Sequence, residues 1–178
     1  MKNNFDSCLA LVLKEEGGYQ DDPNDRGNRL SDGRKGSTNM GVTQAAWEEY
    51  VNQKVTQDDI KALTINDIIP FYKIKYWDII KGDLLPIGLD YAVFDYAVNA
   101  GTGRAVKVLQ QVLNVPSDGL MGPMTFAEIE QVNPRSLITE YCDARLAFYQ
   151  RLPDFGRYGK TWSQRVADVE KAAFDMAA

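Results

Sequence analysis

The chain has 178 residues, 44% hydrophobic and 25% charged, which suits a folded globular protein and excludes an extended disordered one. It contains no histidine and two cysteines. Histidine-containing zinc sites, a four-thiolate zinc site, a Ser-His-Asp triad and a Cys-His pair are therefore out of reach, and carboxylates remain as the natural acid and base groups. The net charge of -5 argues against nucleic acid as a partner, because phosphate binding draws on clustered Lys and Arg. No apolar run nears the roughly 20 residues of a membrane span, so no stable membrane insertion is expected.

Phe5, Cys8, Leu9, Val12 and Leu13 recur at offsets of three and four, the stripe of a helix with one buried face. Gly17 and Gly18 end it. One further turn along the stripe falls on Glu16, whereas Glu15 lies about 100° round the axis, toward solvent. The apolar stretch from Cys8 to Leu13 is too short for an export-signal core and is flanked by acids, so synthesis without an export signal is expected. Cys8 and Cys142 stand far apart in segments that read as helical, which predicts reduced core thiols.

Tyr19 to Asn39 lacks helical periodicity and is dense in Asp, Asn, Arg, Gly and Ser, which predicts a long loop or a short irregular hairpin of functional use. Beyond it, helices are predicted over 43–53, 57–62, 65–80, 87–100, 102–113, 124–131, 134–151 and 160–176. Thr56 with Asp59, and Thr64 with Asp67, each pair an N-cap with an acid three residues on. Pro70 predicts a kink or a break. The softest boundary, Gly82 to Pro86, divides a loop-containing front lobe, 1–85, from an all-helical back lobe, 86–178.

Glycoside hydrolysis needs an acid of raised pKa for the leaving oxygen, and usually a second carboxylate to act on water or steady the cation. Glu16 has the placement for the acid; the alternative is an ordinary helix-end glutamate. Asp25, in a segment rich in Asp-Pro and Asp-Gly pairs, reads equally as a second carboxylate or as a turn residue. Tyr96 and Asn99 precede Gly101-Thr102-Gly103. A sugar-stacking ring with an acetamido-binding amide, and a core aromatic with a helix cap, are both open there. Trp47, Trp77 and Trp162 read as core aromatics. Asp118-Gly119 reads as a turn before a helix begun by Pro123. No metal site is predicted, because the acids after Asp22 are out of register for a calcium loop.

The series Glu16-Gly17-Gly18-Tyr19, Asp22-Pro23, Asp25 and Thr38-Asn39-Met40-Gly41-Val42-Thr43 resembles the signatures of glycoside hydrolase family 108. The likeness continues through Tyr72 to Asp78 and Phe94 to Gly101. The segment Asp118 to Thr125 is similar to the peptidoglycan-binding half that follows in this family. The resemblance implies a mainly helical, lysozyme-like α+β fold with a small irregular or hairpin element in the front lobe. It also implies an N-acetylmuramidase of the phage endolysin type, acting on peptidoglycan glycan strands without a cofactor. Glu16 is then the general acid, Asp25 the partner carboxylate and Thr38 the hydroxyl that positions water. Asp22 or Asp32 in place of Asp25, and Thr43 in place of Thr38, stay open because the loop from Arg26 to Lys35 is longer than the family pattern. Tyr19, Asn39, Thr43, Tyr96 and Asn99 are expected to bind substrate.

By the same resemblance the protein is expected to act as a monomer and to stay in the host cytoplasm until released to the wall. A lytic transglycosylase, which needs no partner carboxylate, and a non-catalytic peptidoglycan-binding module are the rival readings. Arg26, Arg29, Arg34 and Lys35 either supply the wall attraction that the acidic chain lacks or belong to a solvated, inert loop, in which case Arg145, Arg151, Arg157, Lys160 and Arg165 are the next candidates.

Overall fold

The structure, a computed structural model, describes residues 4–178. It contains two compact units, Leu9–Lys75, and Tyr76–Ala178 together with the residues up to Cys8. Helix α1 (Phe5–Glu15) contributes to both. Its stripe is buried as the spacing predicts: Phe5, Cys8, Leu9 and Val12 are core residues, Glu15 is exposed and Glu16 half-buried. The Glu16 N–H still bonds the Val12 carbonyl at 3.3 Å, so the helical path reaches Glu16.

In the first unit, β1 (Thr38–Asn39) and β2 (Val42–Thr43) form an antiparallel hairpin with Thr38 opposite Thr43 and Asn39 opposite Val42. Gln20 bridges the outer side of Thr38, and Arg29 bridges Lys35, so the predicted irregular hairpin segment is pinned at intervals. Three helices follow: α2 (Gln44–Val51), α3 (Gln57–Lys61) and α4 (Ile65–Tyr72). Both predicted N-caps form. The Thr56 N–H and hydroxyl donate to Asp59, and those of Thr64 donate to Asp67. Pro70 lies inside α4 without ending it, but three residues later the ladder widens into a π turn over Lys73–Trp77. The segment predicted over 65–80, with a kink or break at Pro70, is thus an α-helix to Tyr72 that runs on as a π turn to Trp77.

In the second unit, α5 (Leu89–Ala100) is buried on every side from Leu89 to Ala97, including Asp90 and Asp95. Helices α6 (Thr102–Val112), α8 (Pro134–Gln150) and α9 (Phe155–Met176) pack on it, and α7 (Pro123–Ile129) begins at Pro123 as predicted. Gln110 and the Leu120 N–H hold Asp118 in the predicted turn. Helix α9 starts five residues before its predicted start at 160 because Gly159, a poor helix former, is where the Phe155 ring packs. A Cβ at Gly159 would lie 2.9 Å from that ring. The architecture is therefore mainly helical, with one small hairpin in the front lobe and a helical back lobe.

Cys8 and Cys142 are buried and unpaired, and burial pushes both thiols up, that of Cys142 to about 12. Neither is therefore a reactive thiol. Trp77 is buried and donates to Asp83; Trp47 packs on Tyr50 and Phe71, and Trp162 on Tyr149 and Tyr158. No helix among the described residues is long and apolar enough to cross a membrane.

Candidate active site

The site is built around the end of α1. The hairpin turn Met40-Gly41 has both residues in the left-handed region, φ +48° and +76°, the geometry of a type I′ turn. Glycine tolerates this and methionine does so at a cost. The Tyr72 hydroxyl holds the turn by donating to the Met40 carbonyl at 2.8 Å. Gly41 faces Glu16 and Tyr72 so closely that a Cβ there would lie 2.5 Å from the Tyr72 hydroxyl and 2.9 Å from Glu16 Cγ and Oε2. The carboxyl group therefore rests on bare backbone, beside a phenol that is itself fixed. Gly17 and Gly18 need neither a positive φ nor a missing side chain, since a Cβ at either would meet nothing within 4 Å. They leave open ground next to Glu16.

Asp25 lies in the adjoining loop and caps the 3-10 turn Arg26–Asn28, its Oδ1 accepting the Gly27 N–H at 2.8 Å. Its other oxygen accepts from Gln20 Nε2 at 2.8 Å. Asn28 Nδ2 donates to Gln20 Oε1 at 2.6 Å, and the Thr38 hydroxyl donates to Asn28 Oδ1 at 2.9 Å. Every donor in this relay points toward the carboxylate, so both amide orientations and the Thr38 proton are set by their neighbours. Thr38 and Asp25 are thus joined through Gln20 and Asn28, two residues that the sequence does not single out.

The alternatives for the partner carboxylate and for the hydroxyl also make local bonds. Asp22 Oδ1 accepts from the Asn24 backbone and side chain. Asp32 pairs with Lys54 at 2.9 Å and Arg34 at 2.8 Å, and these cations, Lys54 foremost, hold its carboxyl well below the usual range. The Thr43 hydroxyl caps α2 by accepting the Ala46 N–H. Among the expected binding residues, Tyr19 is half-buried with the Lys61 ammonium 5.4 Å from its ring centre. Asn39 and Tyr96 require correction. Asn39 is buried and its amide donates to the Ile60 and Lys61 carbonyls, so it anchors the hairpin to α3. Tyr96 is fully buried against Tyr141 and Tyr149, so it presents no face to a sugar.

The cationic loop also differs from expectation. Arg34 donates to both Glu48 oxygens, at 2.9 and 2.8 Å, to Asp32 and to the Val55 carbonyl, so it is a structural clasp and not a wall-binding cation. Arg29 donates to the Pro23 carbonyl at 3.3 Å, while Arg26 and Lys35 are exposed. In the second unit Arg145 is fully buried. Arg34 pulls Glu48 down to about 2, and a depressed carboxylate contributes stability that is present above its unfolded pKa, about 4.3, and is lost as pH falls through the folded value. Arg34→Gln is therefore expected to lower the melting temperature at neutral pH. The gap from wild type should narrow between about pH 4 and 2, which thermal melts across that range would check. A gap independent of pH would mean that the pair contributes through packing instead.

Among the described residues, no group of three carboxylate or thiolate side chains is placed to hold a metal.

Residues 9–101 match the family described as Glycosyl hydrolase 108, and residues 104–166 match one described as Predicted Peptidoglycan domain. Among solved structures, one described as the structure of Brucella abortus SagA is 38% identical. The match covers 99% of this chain and 97% of that one, with a TM-score of 0.86. Among curated proteins, none matches.

Proposed function

We propose that this chain, which belongs to the glycosyl hydrolase 108 family, hydrolyses the β-1,4 bond from N-acetylmuramic acid to N-acetylglucosamine and acts as a phage-type endolysin that lyses its host. The broader class goes with the family: the protein is an enzyme, a muramidase-type glycosyl hydrolase that acts on peptidoglycan. The finer reading is carried by Glu16, whose carboxyl group is half-buried at a helix end, seated on the Cα of Gly41 beside the Tyr72 hydroxyl, with open ground at Gly17 and Gly18.

Glu16 protonates the bridging oxygen as the bond breaks. The Thr38 hydrogen is committed to Asn28, so its oxygen can only accept. Asp25 is likewise an acceptor. A water that donates one hydrogen to each keeps its lone pair for the anomeric carbon; the Asp25 charge steadies the developing oxocarbenium ion, and Asp25 then takes the proton that the water gives up as the new C–O bond forms. No step calls for a cofactor. The enzyme works as a monomer, made in the host cytoplasm and released to the wall.

Asp25→Asn keeps the shape and removes the charge. It should slow lysis of purified walls by more than about tenfold, yet by less than loss of the acid. Turbidity clearance by Asn variants at Asp22, Asp25 and Asp32 checks this. A near-neutral Asp25 change beside a severe one at Asp22 or Asp32 would move the role, and uniformly mild effects would favour transglycosylation.

A further inference from the structure

We propose that Asn99 recognises the 2-acetamido carbonyl of an N-acetylhexosamine, and that Tyr149, Arg145 and Asp95 are positioning residues that fix which way its amide faces. This rests on the reading of glycan strands as substrate, and adds the sugar group that is recognised and the side chains that orient the recognising residue.

The argument runs outward from the core. Asp95 in α5 and Arg145 in α8 are fully buried and paired, Nη1 to Oδ2 at 2.7 Å, and Arg165 in α9 holds the other Asp95 oxygen at 2.9 Å. A guanidinium can only donate. Arg145 Nε donates to the Tyr149 oxygen at 3.3 Å, and that oxygen lies 2.5 Å from Asn99 Oδ1. A phenol has one hydrogen. With the guanidinium facing its oxygen, that hydrogen goes to Asn99 Oδ1. The amide therefore turns its oxygen inward and its NH2 outward.

Asn99 is an exposed residue, so two fixed donors face solvent there. The helix end is closed without it, by the Gly101 N–H on the Ala97 carbonyl, which removes the capping explanation for its side chain. An oriented pair of N–H donors matches an acceptor-only group, and the acetamido carbonyl is the strongest neutral acceptor carried by both sugars of the strand. The network is also poorly explained as a source of stability. Among the described residues, Arg145 Nη2 and the Tyr96 hydroxyl are buried without a hydrogen-bond partner, a costly arrangement that apolar side chains would avoid.

Asn99→Asp tests this, because it keeps the acceptor for Tyr149, removes both N–H donors and alters an exposed position. kcat/KM is measured on N-acetylated peptidoglycan and on the same material after chemical de-N-acetylation. The preference for the acetylated polymer should fall about tenfold or more. Pairing of the new carboxylate with the freed ammonium groups should push it further in that direction. Tyr149→Phe releases the amide and should move the ratio the same way by a smaller factor, through KM more than kcat. Binding of both polymers to the Glu16→Gln protein gives the ratio without cleavage, so a failure of the proposed reaction leaves this preference readable. An Asn99→Asp protein that melts like wild type and keeps the wild-type preference in both assays overturns the proposal.

Discussion

Glu16→Gln is expected to abolish wall lysis, by at least about a thousandfold, while leaving the melting temperature close to that of wild type. The amide has the volume of the carboxyl group and can occupy the same seat on Gly41, but it has no acidic proton to give the leaving oxygen. The seat itself is formed by backbone at Gly41 and by Tyr72, which is fixed through Met40, and the amide fits it as the carboxyl group does. Glu15→Ala is the matched control. Glu15 is exposed one position away on the same helix end, and its loss should change little. Lysis rates of the two variants beside their melting curves separate catalysis from folding. Retention of more than a small fraction of activity by a folded Gln variant would remove Glu16 from the acid role.

Gly41→Ala is expected to be nearly as damaging for a different reason. A methyl group there would have to sit 2.5 Å from the Tyr72 hydroxyl and 2.9 Å from Glu16 Cγ and Oε2, distances at which something must move. The backbone cannot yield cheaply, since φ at this position is +76° and an L side chain in that region costs about 1–2 kcal/mol. Two results should appear together: a melting temperature lowered by that cost, and a fall of about a hundredfold in kcat, because displacing a catalytic group by about 1 Å has that order of effect. Tyr72→Phe leaves the space unchanged and removes the hydroxyl that donates to Met40, so it should fall between wild type and Gly41→Ala in both measurements. An alanine variant with wild-type kcat would show that the placement of Glu16 does not depend on this contact.

What the sequence discloses of this site follows the range of the interactions. Glu16 is legible because its position depends on the local period of α1, and the caps at Thr56 and Thr64 because each is closed by an acid three residues on. Tyr72 is not, since it reaches Met40 across 32 positions of sequence. Gln20 and Asn28 lie in a segment with no period, and their place between Asp25 and Thr38 emerges only once the loop closes on itself. Arg34 misleads for the same reason: its partner Glu48 lies 14 residues on, in another element, so a clasp reads as a free cation. Arg145 was within reach of pattern reading. It falls on the stripe of Tyr141, Cys142 and Tyr149, as Glu16 falls on the stripe of α1, and the same logic points it inward. Tyr96 and Asn39 are motif positions taken up by packing: Tyr96 is fully buried, and the Asn39 amide donates to the Ile60 and Lys61 carbonyls.

The most direct test is the identity of the new chain ends released from purified peptidoglycan by the wild-type enzyme, read by mass spectrometry with and without prior borohydride reduction. Hydrolysis at the proposed bond predicts reducing N-acetylmuramic acid ends, each carrying one added water and each reducible, and none from the Glu16→Gln protein. Ends carrying a 1,6-anhydro ring without the added water, or reducing N-acetylglucosamine ends, would contradict it.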